Sequence, residues 1–107
     1  MASGTIPTPY PSDKLGIIVN TFPSGTTDVF TLSNTYRGVI IGLDAGNENK
    51  SLLLVSTSSS GNVYVGEVYT GSNITITTST KNQLTIGHPT ASGTYLVFTI
   101  RGSITPN

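Results

Sequence analysis

The 107-residue chain contains no cysteine, which excludes disulfide staples and thiolate metal sites. Charge is nearly absent as well. Five Lys or Arg and five Asp or Glu make up 9% of residues and cancel to zero, against about 25% charged residues in an average globular domain. The five basic residues, Lys14, Arg37, Lys50, Lys81 and Arg101, are scattered. A nucleic-acid backbone or an anionic membrane surface needs such residues clustered, so neither is an expected partner. No apolar run approaches the roughly 20 residues of a membrane helix, and none is expected to insert. Met1 to Pro11 lacks both the charged and the apolar region of a signal peptide.

What the chain does have is neutral polarity. Ser and Thr number 31 and Asn eight, while 36% of residues are hydrophobic. Solubility therefore rests on hydroxyls and amides, a composition shared with secreted modules and virion proteins. The expected location is a virion or the extracellular space. The length fits one domain with one thin core.

Residues 1–14 read as an extended tether. Pro7, Pro9 and Pro11 alternate there, and proline fixes its own φ while biasing its predecessor to extended backbone. Residues 15–107 read as an all-β domain. Short apolar runs recur every 8–12 residues or so between Gly, Asn, Ser and Pro, the pattern of an antiparallel, jelly-roll-like β-sandwich. About eight strands are expected, over residues 15–19, 28–32, 38–43, 51–57, 63–69, 74–78, 84–86 and 94–101. The run Phe22-Pro23-Ser24-Gly25 is expected to be a turn closing the first strand.

Two kinds of strand are present. Ile74-Thr75-Ile76-Thr77 and Leu84-Thr85-Ile86 alternate, as half-buried strands do. In the last strand Leu96, Phe98 and Ile100 share one face, and Tyr95, Val97, Thr99 and Arg101 the other. Val39-Ile40-Ile41 and Leu52-Leu53-Leu54-Val55 are apolar on both faces. In a two-layer sandwich one of those faces meets water unless something covers it. A partner subunit is the expected cover, with Val39, Ile41, Leu52 and Leu54 as the expected interface.

Candidate chemistry is sparse. His88, the one histidine, lies in Gly87-His88-Pro89 and reads as an exposed turn residue, since no nucleophile motif accompanies it. The five acids do not form a pair that flanks a bond, which glycoside hydrolysis requires. Asp44 and Glu48 share the loop Asp44-Ala45-Gly46-Asn47-Glu48-Asn49 and are expected to face solvent. That loop is rich in oxygens but lacks the EF-hand pattern, so it reads as a polar turn. No enzyme activity, metal or cofactor is expected. Tyr suits half-buried contact surfaces because its ring packs while its hydroxyl stays wet. Asn47, Asn49, Tyr64 and Tyr69 are the expected ligand-binding residues, and the parity of 64 and 69 puts the two rings on opposite faces.

The span from Ile17 to Ile104 resembles the small β-sandwich tips of bacteriophage tail fibres and related receptor-binding proteins. The resemblance lies in the order of features. Val39-Ile40-Ile41-Gly42 precedes Leu52-Leu53-Leu54-Val55-Ser56-Thr57-Ser58-Ser59-Ser60-Gly61-Asn62-Val63. Asn73-Ile74-Thr75-Ile76-Thr77-Thr78, Asn82-Gln83-Leu84-Thr85-Ile86 and Tyr95-Leu96-Val97-Phe98 follow. The opening Met1-Ala2-Ser3-Gly4-Thr5-Ile6 is similar to the start of many small phage-associated proteins. The resemblance implies a homotrimer that attaches to a bacterial surface glycan or protein through loops at one end. The His-x-His metal motif of some trimeric tips is replaced by Gly87-His88-Pro89. The alternatives are a monomeric carbohydrate-binding module and a virion decoration protein that binds only other virion subunits.

Overall fold

The computed structural model describes residues 17–89 and 92–107; the tether expected over residues 1–14 lies outside them. Nine strands form among the described residues. They are β1 (Ile18–Pro23), β2 (Thr27–Leu32), β3 (Arg37–Leu43), β4 (Lys50–Thr57), β5 (Val63–Thr70), β6 (Thr75–Thr77), β7 (Gln83–Gly87), β8 (Thr94–Arg101) and β9 (Ile104–Pro106). One antiparallel sheet runs β1-β8-β3-β4-β5 and the other β6-β7-β2-β9. Together they make the expected all-β sandwich. Among the described residues no helix is long and apolar enough to cross a membrane.

The core lies between the sheets. Phe30, Ile40, Leu53, Leu84, Ile86 and Val97 are at most 1% exposed. Phe30 stacks edge-on against Tyr95 at 5.2 Å between ring centres and meets Phe22 at 5.8 Å. Edge-to-face rings satisfy the aromatic quadrupole, which adds to what burial alone contributes.

Two boundaries differ from expectation. β1 spans Ile18–Pro23 and runs past the expected end at residue 19, while residues 15 and 16 of the expected strand lie outside the described residues; its last two residues pair with Tyr95 and Thr94 in β8. Phe22 belongs to the core side, which draws the chain into the sheet beyond the expected turn. Pro23 is tolerated because it ends an edge strand, where a missing N–H breaks no inner ladder. β9 was not expected, because three residues are too few to show a period. It pairs with β2 through Leu32↔Ile104 and buries Ile104 under the sandwich.

β8 shows how the two faces divide. Tyr95, Val97 and Thr99 point inward and are buried, whereas Leu96, Phe98 and Ile100 point outward. The more apolar triplet is thus on the outside. The inward hydroxyls are matched: Tyr95 donates to Asp28 Oδ2 at 2.8 Å, and Thr99 Oγ1 lies 2.9 Å from the Tyr36 hydroxyl. Without such partners a buried hydroxyl would be costly.

Candidate functional site

The outer face of the five-stranded sheet is built row by row by strand register. One row runs Val19–Phe98–Val39–Leu54–Gly66, and the next Thr21–Leu96–Ile41–Leu52–Tyr69. The expected interface residues are therefore neighbours: Val39 pairs with Leu54 and Ile41 with Leu52. Leu54 is 51% exposed, and Val39, Ile41, Leu52, Leu96 and Phe98 are only partly buried. The rows make a continuous, partly exposed apolar patch on the outside of the sheet.

The β5 edge of that sheet is guarded, in contrast to the face. β5 carries a bulge where Leu53 pairs with Glu67 and Leu52 with Tyr69, leaving Val68 as the extra residue. Bulges and charged residues on an edge strand discourage further strand pairing. The bulge also corrects the expected geometry of the tyrosines. Tyr64 pairs with Ser56 and Tyr69 with Leu52, so both belong to the outer face. Parity fails because one inserted residue resets it.

A shallow groove of about 510 Å³ lies at one end of this face, lined by Arg37, Val39, Leu54, Ser56, Tyr64 and Ile100 among others. Tyr64 is 58% exposed and Ile100 60%. Arg37 stands directly opposite Arg101 across β3 and β8, where a register shift begins at Arg37/Gly38. Arg37 Nη1 donates to the carbonyls of Tyr36 and Thr57, each at 2.7 Å, which fixes its base. Among the described residues neither arginine has a carboxylate within ion-pair distance.

The remaining expected ligand residues lie elsewhere. Asn47 is exposed in a short 3₁₀ turn after β3, where its carbonyl accepts the Tyr69 hydroxyl at 2.9 Å. Asn49 is buried; its Nδ2 donates to the Ala45 carbonyl at 2.9 Å and its Oδ1 accepts from Asn73 Nδ2 at 3.3 Å. Its side chain holds the loop together rather than facing a ligand. The four residues do not form one site, since only Tyr64 lines the groove.

A second constellation lies inside the sandwich. His88 is not an exposed turn residue: its side chain is 1% exposed, and it sits between two carboxylates. Nε2 is 3.0 Å from Asp28 Oδ2, and Nδ1 is 2.6 Å from Asp44 Oδ2. The Nδ1 contact has the distance of an ion pair but not the angles of a hydrogen bond. Asp44 is buried too, contrary to expectation, and accepts from Ser24 Oγ at 2.8 Å. Asp28 accepts the Gly25 N–H and the Tyr95 hydroxyl.

Local structure sets this arrangement. The Thr27↔Gly87 pair ends the β2–β7 ladder, and the His88 N–H bonds the Thr26 carbonyl at 2.9 Å, which turns the ring inward. Asp44 follows β3 directly, and Tyr95 reaches the cluster over Gly42, its cross-strand neighbour. Burial first, and then the Asp28 carboxylate, push the Tyr95 hydroxyl far above the ordinary tyrosine range.

The cluster does not have the arrangement of a hydrolytic triad. A triad places a nucleophile on the imidazole, whereas Ser24 meets Asp44 and both ring nitrogens face carboxylates. No cluster of His, Asp and Glu among the described residues is arranged to hold a metal ion. What the geometry does is clamp the sheets: Asp28 and His88 come from one side of the sandwich, Asp44 and Tyr95 from the other. No family model, no curated protein and no solved structure matches the chain.

Proposed function

We propose that the domain is a non-enzymatic phage or prophage structural module that mediates attachment to a bacterial surface ligand, assembled as a homotrimer. The observation that carries this reading is the outward apolar face of the five-stranded sheet, with Leu54, Tyr64 and Ile100 each more than half exposed. A protein with so few apolar residues has little reason to place Leu96, Phe98 and Ile100 outside unless another chain covers them.

Charge favours a second copy arranged head to tail. Among the described residues the face carries Arg37 near one end and Lys50 near the other, and no acid. Two such faces docked on each other would oppose cation to cation. The exposed acids Glu48 and Glu67 lie on the β5 side, in the 3₁₀ turn and in β5 itself. A contact between the face of one copy and the β5 side of the next is heterologous, and such contacts close into rings when the rotation allows. A trimer is the smallest ring of this kind.

Sedimentation velocity over a wide concentration range tests the assembly. The expected species has three times the 11.1 kDa mass of one chain. A monomer at every concentration overturns the reading. Binding of the labelled protein to whole bacterial cells tests attachment, and a trimer that binds no cell type overturns that part alone.

A further inference from the structure

We infer that residues 6–11, which lie outside the described residues, add a strand to the open edge of β1 in their own chain and close that side of the sandwich. The added strand does not require the trimer. Among the described residues the two sheets end in four edges, β1, β5, β6 and β9. β5 is interrupted by its bulge. β6 and β9 have three residues each, and β9 ends in proline. β1 has six residues and no charge. An edge of that length and composition invites another strand unless something covers it.

Backbone direction defines what the β1 edge offers. Each residue of a strand points its N–H and C=O to one side, and the next residue points them to the other. The Phe22 carbonyl accepts the Thr94 hydroxyl at 3.2 Å, so it faces β8. The Phe98 carbonyl oxygen lies 2.7 Å from where a Gly38 Cβ would sit, so it faces β3 and leaves Tyr95, Val97 and Thr99 to face β1. Their partners Phe22, Asn20 and Ile18 are therefore spent on β8. Val19 and Thr21 point both backbone groups away from the sheet, and Pro23 its carbonyl. The inner side of the edge is uncovered too. Ile18 shares the face of its partner Thr99, which is buried, yet Ile18 is 58% exposed. A notch of about 110 Å³ beside it is lined by Ile18, Asn20, Thr99 and Ile104 among others.

Ile6-Pro7-Thr8-Pro9-Tyr10-Pro11 has the complementary pattern. In extended backbone Ile6, Thr8 and Tyr10 offer N–H and C=O on one side, while the prolines leave the other side without a donor. Such a strand pairs fully on one side only. Between it and β1 stands Asp13-Lys14-Leu15-Gly16, with Asp and Gly at the first and fourth positions, as a type I turn favours. A four-residue hairpin loop there sets Ser12 opposite Ile17, Tyr10 opposite Val19 and Thr8 opposite Thr21. So short a return favours the same chain over a second copy, because its effective concentration is roughly millimolar. Tyr10 and Thr8 then lengthen the outer rows that begin at Val19 and Thr21. Pro11 and Pro9 fall beside Ile18 and Asn20, over the notch. The far edge of the added strand lacks N–H groups and ends the sheet.

Amide hydrogen exchange in the full chain tests the strand. Val19 and Thr21 are expected to be protected like Asn20 and Phe22, whose amides bond β8. Thr8→Pro removes an inward N–H and should speed exchange at Val19 and Thr21 about tenfold or more, leaving Asn20 and Phe22 unchanged. Disulfide trapping gives a second reading, since the chain has no cysteine of its own. Pro9→Cys with Asn20→Cys sets the two thiols directly opposite on one face, within disulfide reach, whereas Thr8→Cys with Asn20→Cys sets them on opposite faces. The first pair is expected to lock within one chain and the second to stay reduced. Val19 and Thr21 amides as unprotected as the exposed Ser59, no response to Thr8→Pro, or equal trapping of the two pairs each overturn the strand. A link between two chains overturns the assignment to the same chain. The mass of the parent is read by sedimentation in parallel: a monomer that passes both tests overturns the trimer and leaves the strand standing, and a trimer that fails them does the reverse.

Discussion

His88 Nε2 and Asp28 Oδ2 lie 3.0 Å apart although 60 positions separate them in sequence. Asp44 closes on the other side of the ring at 2.6 Å. The ring stands between both carboxylates at once; removing it would leave the two acids with no group between them. His88→Ala should therefore destabilise the fold by about 3–5 kcal/mol, the usual consequence of deleting one partner of a buried ion pair. Urea unfolding measures this. A double-mutant cycle with Asp44→Asn should show the two losses to be non-additive, because the contacts are shared.

The Tyr95 hydroxyl predicts a loss of stability in alkali. Its pKa is raised by burial, and then by the hydrogen bond to Asp28, so the folded protein holds a proton that the unfolded chain releases near pH 10. Stability is thus full below about pH 10 and declines as pH rises beyond it. Tyr36, raised by its own burial, adds in the same direction. Tyr95→Phe should flatten part of that decline. It should also cost about 1.5–3 kcal/mol at neutral pH, because Asp28 loses a donor. Unfolding free energies at a series of pH values check both statements.

Assembly and folding should separate at Leu54. The side chain is 51% exposed on the outer face, between Val39 and Gly66. Leu54→Arg should change the stability of a single copy by no more than about 0.5 kcal/mol, as most surface substitutions do. The same change should convert the sedimenting species to a monomer. Urea unfolding at low protein concentration and sedimentation at high concentration read the two effects independently.

Gly71 and Gly66 make a matched pair for the loop after β5. A Cβ at Gly71 would overlap the backbone carbonyl of Glu48, which cannot swing aside. Gly71→Ala should destabilise by about 1–3 kcal/mol, the range for overpacking. A Cβ at Gly66 meets Leu54 Cβ at 3.6 Å, an ordinary contact. Gly66→Ala should be close to neutral, and thermal melts of the two variants would show the difference.

Much of the fold was legible because strand periodicity and turn residues are local signals. The double-sided apolarity of Val39-Ile40-Ile41 and Leu52-Leu53-Leu54 singles out Val39, Ile41, Leu52 and Leu54, and strand register sets them side by side as the pairs Val39–Leu54 and Ile41–Leu52. What was missed depends on register. The burial of His88 between Asp28 and Asp44 follows from how β2 meets β7 and where β3 ends, and no spacing in the sequence encodes that meeting. The Gly87-His88-Pro89 turn even suggests exposure, since turns run over surfaces. Asn49 reads as a surface amide for the same reason, yet Ala45 and Asn73 draw it inward. The Arg37–Arg101 pair is invisible until β3 and β8 are aligned.

The extra residue at Val68 governs which way the end of β5 points. Deleting it would leave Tyr69 opposite Leu52 on the outer face with Tyr64, because Glu67 and Tyr69 already pair with the consecutive residues Leu53 and Leu52. Loss of that one codon would therefore remove an unpaired side chain from the rim while the paired residues of β5 kept their faces. If the outer face is covered by another chain, as proposed, the irregularity is a place where the rim can change length without turning its tyrosines away from that contact.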